Sequence, residues 1–540
     1  MKLKYRILIP ILALSVLILG SSYKNDYFEI AKQVEIFTTL FKELNMNYVD
    51  DTNPGSLMDS AIKHMLNELD PYTTFLNEQD VEAYKINNTG EYSGIGARVR
   101  STEDKLIIVS PHQGSPADLA GLKAGDEIIK IDDTKVTDFK ANATALLKGA
   151  NNTKVAVTYK RQGATATTTI TRGKIEVDAV PFYGMVNASV GYIVLSKFNK
   201  KASSQTNDAI VALKDKGATS LILDLRGNPG GLLSEAINVT NLFVPKNELI
   251  VTTKSKVQKF NRNYKTKNTP LDTAIPLVVL VDGSSASASE IVSGSLQDLD
   301  RAVIVGSRSF GKGLVQRPLK LTYGTQLKVT ISRYYTPSGR CIQSLDYWNR
   351  DENGDAVRSS TFNSFKTKNG RIVKDGGGVL PDVEIEAQKE NSLVAALTAN
   401  ALIFDFATDY YYANSYASVN DFKLKSGTFE AFKTYVQKHP NVFVTATEKA
   451  LEKAMQYEEK EELGTEVTQD FDTLRKHITA AKIEALNSYE ATITKQISDE
   501  VLLRYFYKNG VYTYNLTHDE AIKTGTEVLQ NPAKMKSILQ

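Results

Sequence analysis

Apolar residues recur at helical spacing in FEIAKQVEIFTTLFKEL and SLMDSAIKHMLNEL, on either side of the turn DDTNPG, and predict a small helical module over residues 27–88. From 89 to 172 the pattern changes. TGEYSGIGARV leads into the strand-like KLIIVSP, then SPADLAGLKAGDEIIKIDD, a helical FKANATALLKG, and a hairpin, KVAVTYKRQGATATTTIT, turning at Gln162-Gly163. Further on, VGYIVLSKF, TSLILDLRG, IPLVVLVDG and RAVIVG are short, nearly continuous apolar runs, separated by the helical stretches SSQTNDAIVALKDKG, LLSEAINVTNLFV and ASEIVSGSLQDL. That alternation predicts an α/β core with buried strands over residues 173–388. Residues 344–375 are polar and read as a long loop inserted into it. Residues 389–540 return to helical patterns whose charged faces, as in EKALEKAMQYEEKEELG, are expected to be solvated.

Composition narrows the picture in three ways. The 540 residues suggest about three or four domains, and 42% apolar with 24% charged residues places the chain among ordinary globular proteins. A net charge of +3 with interleaved signs gives no basic stripe, so nucleic acid is excluded as the main partner. Cys341 is the only cysteine, which rules out an intramolecular disulfide and a cysteine-based zinc site.

The N-terminus MKLKYRILIPILALSVLILGSS sets Lys2, Lys4 and Arg6 before an apolar run from Ile7 to Gly20. This is the pattern of a signal peptide, with cleavage expected after Ser22, or of an uncleaved N-terminal anchor over residues 1–22. Export would place the body of the protein in an envelope compartment, free or anchored, or outside the cell, with membrane contact only through this segment if it is uncleaved.

Two glycine-rich or small-residue turns, RGNPGG after LILDL and GSSASASE after LVVLV, stand at the C-terminal ends of predicted strands, where active sites of α/β folds gather. A serine at a strand-to-helix elbow exposes its hydroxyl near the positive end of a helix dipole, which suits a nucleophile, although serine clusters also serve as N-caps. The five histidines, His64, His112, His439, His477 and His518, all lie outside the α/β region, so the usual base is missing there. A desolvated lysine can replace it. GSRSFGKG follows the next strand and comes within one residue of a phosphate-binding P-loop, but Gly313 stands where that pattern needs Ser or Thr, and the extended LVQRPLKLTYG follows instead of a helix. Lys312, between Gly311 and Gly313, is the candidate base.

Taken in order, DLRGNPGGLL, VDGSSASASEIVSG, QDLDRAVIVG, FGKGLVQ, RYYTPSGRCIQ and GGGVLPDVEIE resemble the C-terminal processing peptidases, or tail-specific proteases, over roughly residues 30–388. The resemblance implies a secreted or periplasmic serine endopeptidase with a crotonase-like α/β core and a PDZ domain inserted before it, here residues 89–172. It implies Ser287 as nucleophile, with Ser285 and Ser289 open as alternatives on spacing alone, and Lys312 as general base and acid. Gln316 would orient the lysine and Glu290 would support the site. The oxyanion hole would come from Ala288 and one of Gly230 and Gly231. Gly94-Ile95-Gly96 falls at the PDZ carboxylate-binding loop, where a nest of backbone N–H groups holds a peptide C-terminus. The implied partners are protein or peptide substrates entering by their C-terminal tails, with an envelope adaptor or self-association left open; no metal or other cofactor is required. The 344–375 insertion and the C-terminal helices depart from the family pattern.

Overall fold

The computed structural model describes residues 24–102, 105–138, 143–358, 362–385, 392–440, 442–461 and 464–540, so the segment read as signal peptide or anchor lies outside the described residues. The chain divides into two compact units, one of residues up to 77 with 318–329, the other of residues 78–317 with 330–540.

In the first unit, α1 (Lys24–Asn47) and α2 (Pro54–Asn67) are the two expected helices, the second capped by Asn53, whose Oδ1 accepts the Ser56 N–H at 3.0 Å. A short strand, β1 (Thr74–Leu76), pairs antiparallel with residues 326–328. The helices do not form the packed core that their periodicity predicts. Val34, Phe37 and Leu40 on α1 are exposed, while Leu66 on α2 is buried. Among the described residues of this unit, two helices, a three-residue strand and residues 318–329 offer no layer that covers an apolar stripe along a 24-residue helix.

The second unit begins with an antiparallel sheet of strands β2 (Ala97–Ser101), β3 (Leu106–Pro111), β4 (Glu127–Ile131), β5 (Lys154–Arg161) and β6 (Ala164–Thr171), adjacent in that order. Alternate residues of LIIVSP point inward: Leu106 and Ile108 are fully buried and pack with Leu122, Ile128 and Val157.

The α/β core follows. Its sheet comprises β7 (Phe182–Met185), β8 (Val190–Val194), β9 (Ser220–Asp224), β10 (Leu277–Val281), β11 (Val303–Gly306) and β12 (Val383–Glu384), side by side in chain order, parallel except for β7 against β8. Every residue of β8, β9, β10 and β11 is buried, as continuous apolar runs predict. On one face Ile193, Leu221, Leu223, Val279 and Ile304 pack with the intervening helices Ala202–Asp215, Leu233–Asn241 and Ala288–Asp298. The other face, lined by Tyr192, Ile222, Val278, Leu280 and Val305, is covered by the end of the chain, where helix Glu520–Leu529 lays Ile522 and Val528 on the strands. Each such fully buried side chain contributes about 1.5–3 kcal/mol.

Close contact at this second face depends on Gly525. A Cβ there would stand 3.2 Å from Val278 Cγ1 and 3.4 Å from Ile222 Cδ1. Gly525→Leu should therefore overpack the face and lower stability by about 1–3 kcal/mol, read as a lower urea midpoint.

The remaining C-terminal helices have their own core, including Phe406, Phe429, Phe432, Ile493 and Val501, and a smaller cluster joins Ala401 and Phe404 to Ala124, Ile107 and Val109 of the antiparallel-sheet domain. Phe404 packs near Ala124, with the Arg100 and Arg504 guanidinium groups 5.0 and 4.4 Å from its ring centroid. The 344–375 segment, expected as a loop, forms two antiparallel hairpins, Leu345–Arg350 with Ala356–Arg358 and Ser364–Lys366 with Ile372–Lys374. Both turns contain Asn-Gly, with φ of 81° at Gly354 and 95° at Gly370, the backbone that tight hairpins require.

Candidate active site

Strand β10 delivers its C-terminal end to the turn Asp282–Ser287, and helix Ala288–Asp298 starts immediately after. The turn is fixed from beneath. Ser285 Oγ donates to Leu225 O at 2.8 Å and Ser289 Oγ to Asn228 O at 2.9 Å, and both serines are fully buried. Ser287 alone of the three is half-exposed. Its backbone has φ 57° and ψ −109°, a conformation costing an L-residue on the order of 1–3 kcal/mol. The neighbouring serines are buried on structural partners, and the strained one, at the N-cap of the helix, stays partly exposed.

Lys312 follows β11 in a loop folded tightly against residues 341–344. A Cβ on Gly311, where φ is 90°, would lie 2.5 Å from Ser344 Cβ, and one on Gly313 would lie 2.9 Å from Gln343 N. Gln343 Oε1 accepts the Gly313 N–H at 2.7 Å. Gln316 lies on the following strand, Leu314–Lys320, with its amide donating to Thr330 Oγ1 at 3.1 Å.

Glu290 ties the serine turn to the lysine loop. It is fully buried, and its Oε2 accepts N–H groups from both Ser287, at 2.8 Å, and Lys312, at 2.9 Å. Its Oε1 accepts from Gly311 N at 2.7 Å and from the Ser309 hydroxyl at 2.6 Å. Burial pushes this carboxyl up to about 7, against the opposing pull of the four donors. A second tie, not found from the sequence, is Tyr334, whose hydroxyl lies 2.7 Å from Lys312 O and 3.1 Å from Ser287 O. Burial first, and the Glu290 charge second, hold the phenol well above its ordinary range, so it stays a neutral donor. The only forward signal was its place in RYYTPSGRCIQ.

The turn RGNPGG lies against the other side of Ser287. At Gly230, with φ 100°, a Cβ would stand 2.7 Å from Ala286 O and 2.9 Å from both Ala288 N and Ser287 Cβ, so only glycine allows this approach. The Gly230 N–H donates to Asn228 Oδ1 at 2.9 Å, while Gly231 bridges to Phe198 through its neighbours. Asn228, also missed, is fully buried and donates to Leu195 O at 2.6 Å. Ala288, at the first position of its helix, is buried beside Ser287.

Gly94-Ile95-Gly96 opens β2 as the sequence suggested. Ile95 is buried in the domain core, its carbonyl accepting the Ala117 N–H at 2.7 Å. At Gly96, φ is 74° and the carbonyl accepts from His112 N and Ser115 Oγ. Gly94 ends a short strand paired with Gly173, while Ile95 and Gly96 are held through their carbonyls.

Comparison with known proteins adds the following. Residues 93–171 match the PDZ domain, 189–347 match peptidase family S41, and 393–529 match the family described as "Probable PDZ-protease, C-terminal helical domain". The chain is 37% identical over 321 residues to the carboxy-terminal-processing protease of Bartonella bacilliformis, which covers 58% of this chain and 73% of that protein. It is 34% identical over 310 residues to the carboxy-terminal processing protease CtpA of Bacillus subtilis, covering 56% of this chain and 65% of that one. A solved structure of a photosystem II D1 C-terminal processing protease is 28% identical, covers 65% of this chain and 92% of its own, and superposes with a TM-score of 0.36.

Proposed function

The chain belongs to the carboxy-terminal processing proteases, serine-type peptidases of family S41 with a PDZ domain, and we propose that it is an exported endopeptidase with a Ser287–Lys312 dyad, acting on proteins whose C-terminal tails enter the PDZ domain. The observation that carries this reading is the Glu290 carboxylate, which accepts the backbone amides of both dyad residues on one oxygen. A buried group that fixes a nucleophile's turn and a base's loop together is what preorganisation requires.

In this reading the Lys312 amine removes the Ser287 hydroxyl proton as Oγ attacks the scissile carbonyl, and the acyl-enzyme forms. Lys312 then protonates the departing amine and activates the water that releases the new C-terminus. Substrate seated over the half-buried lysine withdraws water from it and favours the neutral amine. The oxyanion would meet the Ala288 N–H and, because Asn228 occupies the Gly230 amide, the Gly231 N–H. Such donors supply on the order of 3 kcal/mol each. Gln316, four residues beyond Lys312, would orient the lysine, and Gly94, Ile95 and Gly96 would hold the tail's carboxylate. The crotonase-like fold assigned to the core is consistent with its mostly parallel sheet flanked by helices. Export rests on residues 1–22, and a periplasmic location, free or membrane-anchored, on the family resemblance.

Two measurements test this. A serine-reactive phosphonate should label the protein once, at Ser287, located by peptide mass spectrometry. A substrate with a free C-terminal carboxylate should be cleaved with kcat/KM at least about tenfold above its C-terminally amidated twin, since amidation removes the charge that the loop recognises. Peptide binding without labelling would instead make the chain a non-catalytic PDZ scaffold.

A further inference from the structure

The turn RGNPGG is held from a distant part of the chain. Arg226, its first residue, directs Nε and Nη2 at the Asp224 carboxylate, with Nη2 to Oδ2 at 2.7 Å, and Nη1 at both oxygens of Asp519, each at 3.0 Å. Asp224 also accepts the Tyr192 hydroxyl at 2.6 Å and the Arg226 N–H at 2.9 Å. The guanidinium is therefore clamped between two carboxylates, one on the preceding strand and one nearly three hundred residues later.

Asp519 has two duties. Its Oδ1 caps helix Glu520–Leu529 by accepting the Ala521 and Ile522 N–H groups at 3.0 and 3.1 Å, and the same carboxylate grips Arg226. Its side chain is only 11% exposed and that of Arg226 24%, so water competes weakly for the pair. The helix already has an apolar attachment to the sheet through Ile522 and Val528, so the ion pair is not needed merely to dock it. What the guanidinium fork adds is direction. A planar donor fork engaged on two sides cannot rotate without breaking charge-assisted bonds, and this one begins the turn whose Gly230 lies against Ser287.

We propose that Asp519, acting through Arg226, is a positioning residue for the oxyanion-binding turn, so that the last helices of the chain belong to the catalytic apparatus. This rests on the dyad reading given above. A small displacement of an oxyanion donor weakens transition-state binding more than substrate binding, so the effect should appear in kcat.

Asp519→Asn discriminates, because Asn caps a helix as well as Asp does but cannot form the charged pair. The full-length variant is expected to lose about tenfold in kcat under conditions where it stays folded, with KM within about twofold of wild type, while the weakened ion pair lowers the urea midpoint modestly. Asp519→Glu, which restores the charge on a longer arm, should recover part of the loss. Arg226→Gln combined with Asp519→Asn should be no slower than Arg226→Gln alone, since the two act as one unit. Equal kcat in Asp519→Asn and wild type would overturn the proposal, as would additive losses in the double variant or a loss of activity no larger than the unfolded fraction at the assay temperature. If Ser287→Ala cleaves as fast as wild type, the dyad reading itself falls, and this inference with it.

Discussion

Ser287→Ala and Lys312→Met are each expected to reduce cleavage of a protein substrate by at least about 10³-fold while leaving the urea midpoint nearly unchanged. The separation of activity from stability follows from the local structure. Ser287 is half-exposed, and the bonds that fix its turn run through its backbone and through Ser285 and Ser289, all of which an alanine at 287 leaves in place. Methionine at 312 keeps an apolar stem of similar length, and the bonds from Lys312 N to Glu290 and from Tyr334 to Lys312 O are made by the main chain, so both survive the substitution. A third variant sharpens the case. Ser287→Gly removes the side chain from a backbone at φ 57°, so it should be as inactive as the alanine variant yet more stable by about 1 kcal/mol. Activity of wild-type magnitude in Ser287→Ala would refute the nucleophile, and in Lys312→Met the base. A loss of activity matched by a large loss of stability would point to a structural role instead.

The parts of this site that were legible in the sequence are those whose function is expressed within a few residues. A buried apolar strand, a small-residue turn and a helix start can be read consecutively, and so can a lysine between two glycines after the next strand. The resemblance to a known family then attached roles to Ser287, Lys312 and Glu290. Tyr334 and Asp519 could not be read this way, because what they do depends on partners 22 to 293 residues distant. Helix Glu520–Leu529 shows the same limit. Its pattern EAIKTGTEVL marks one apolar face, but nothing in it says that the face covers the back of the catalytic sheet. Elsewhere the signal was present and outweighed: polar composition hid two hairpins that Asn-Gly pairs announced. In α1 the periodicity was genuine, and its exposed stripe shows that an amphipathic pattern reports a face to be covered without supplying the cover.

Removing the Glu290 carboxylate should impair fold and chemistry together, unlike loss of either dyad side chain. In Glu290→Ala three backbone N–H groups and the Ser309 hydroxyl lose their acceptor in a fully buried pocket. A buried donor left unsatisfied costs about 1–3 kcal/mol, so even with water entering the space the loss should reach about 3 kcal/mol or more, and kcat should fall by at least about 10²-fold as the serine turn and lysine loop separate. Glu290→Gln keeps the shape but presents an NH₂ group to donors on one side, so it should be intermediate in stability and still slow. The two forms of the wild-type group also differ in stability. Its folded pKa of about 7 lies above the ordinary 4.5, so between these values the native state holds a proton that the unfolded state has released. The stabilisation from that proton is complete below about pH 4.5 and is lost as pH rises through about 7. Urea unfolding at pH 5 and pH 8 should therefore show wild type losing stability relative to Glu290→Gln across this interval. Parallel pH profiles would mean that Glu290 is already ionised throughout, its four donors outweighing its burial, while unimpaired catalysis in Glu290→Ala would remove the carboxylate from the mechanism altogether.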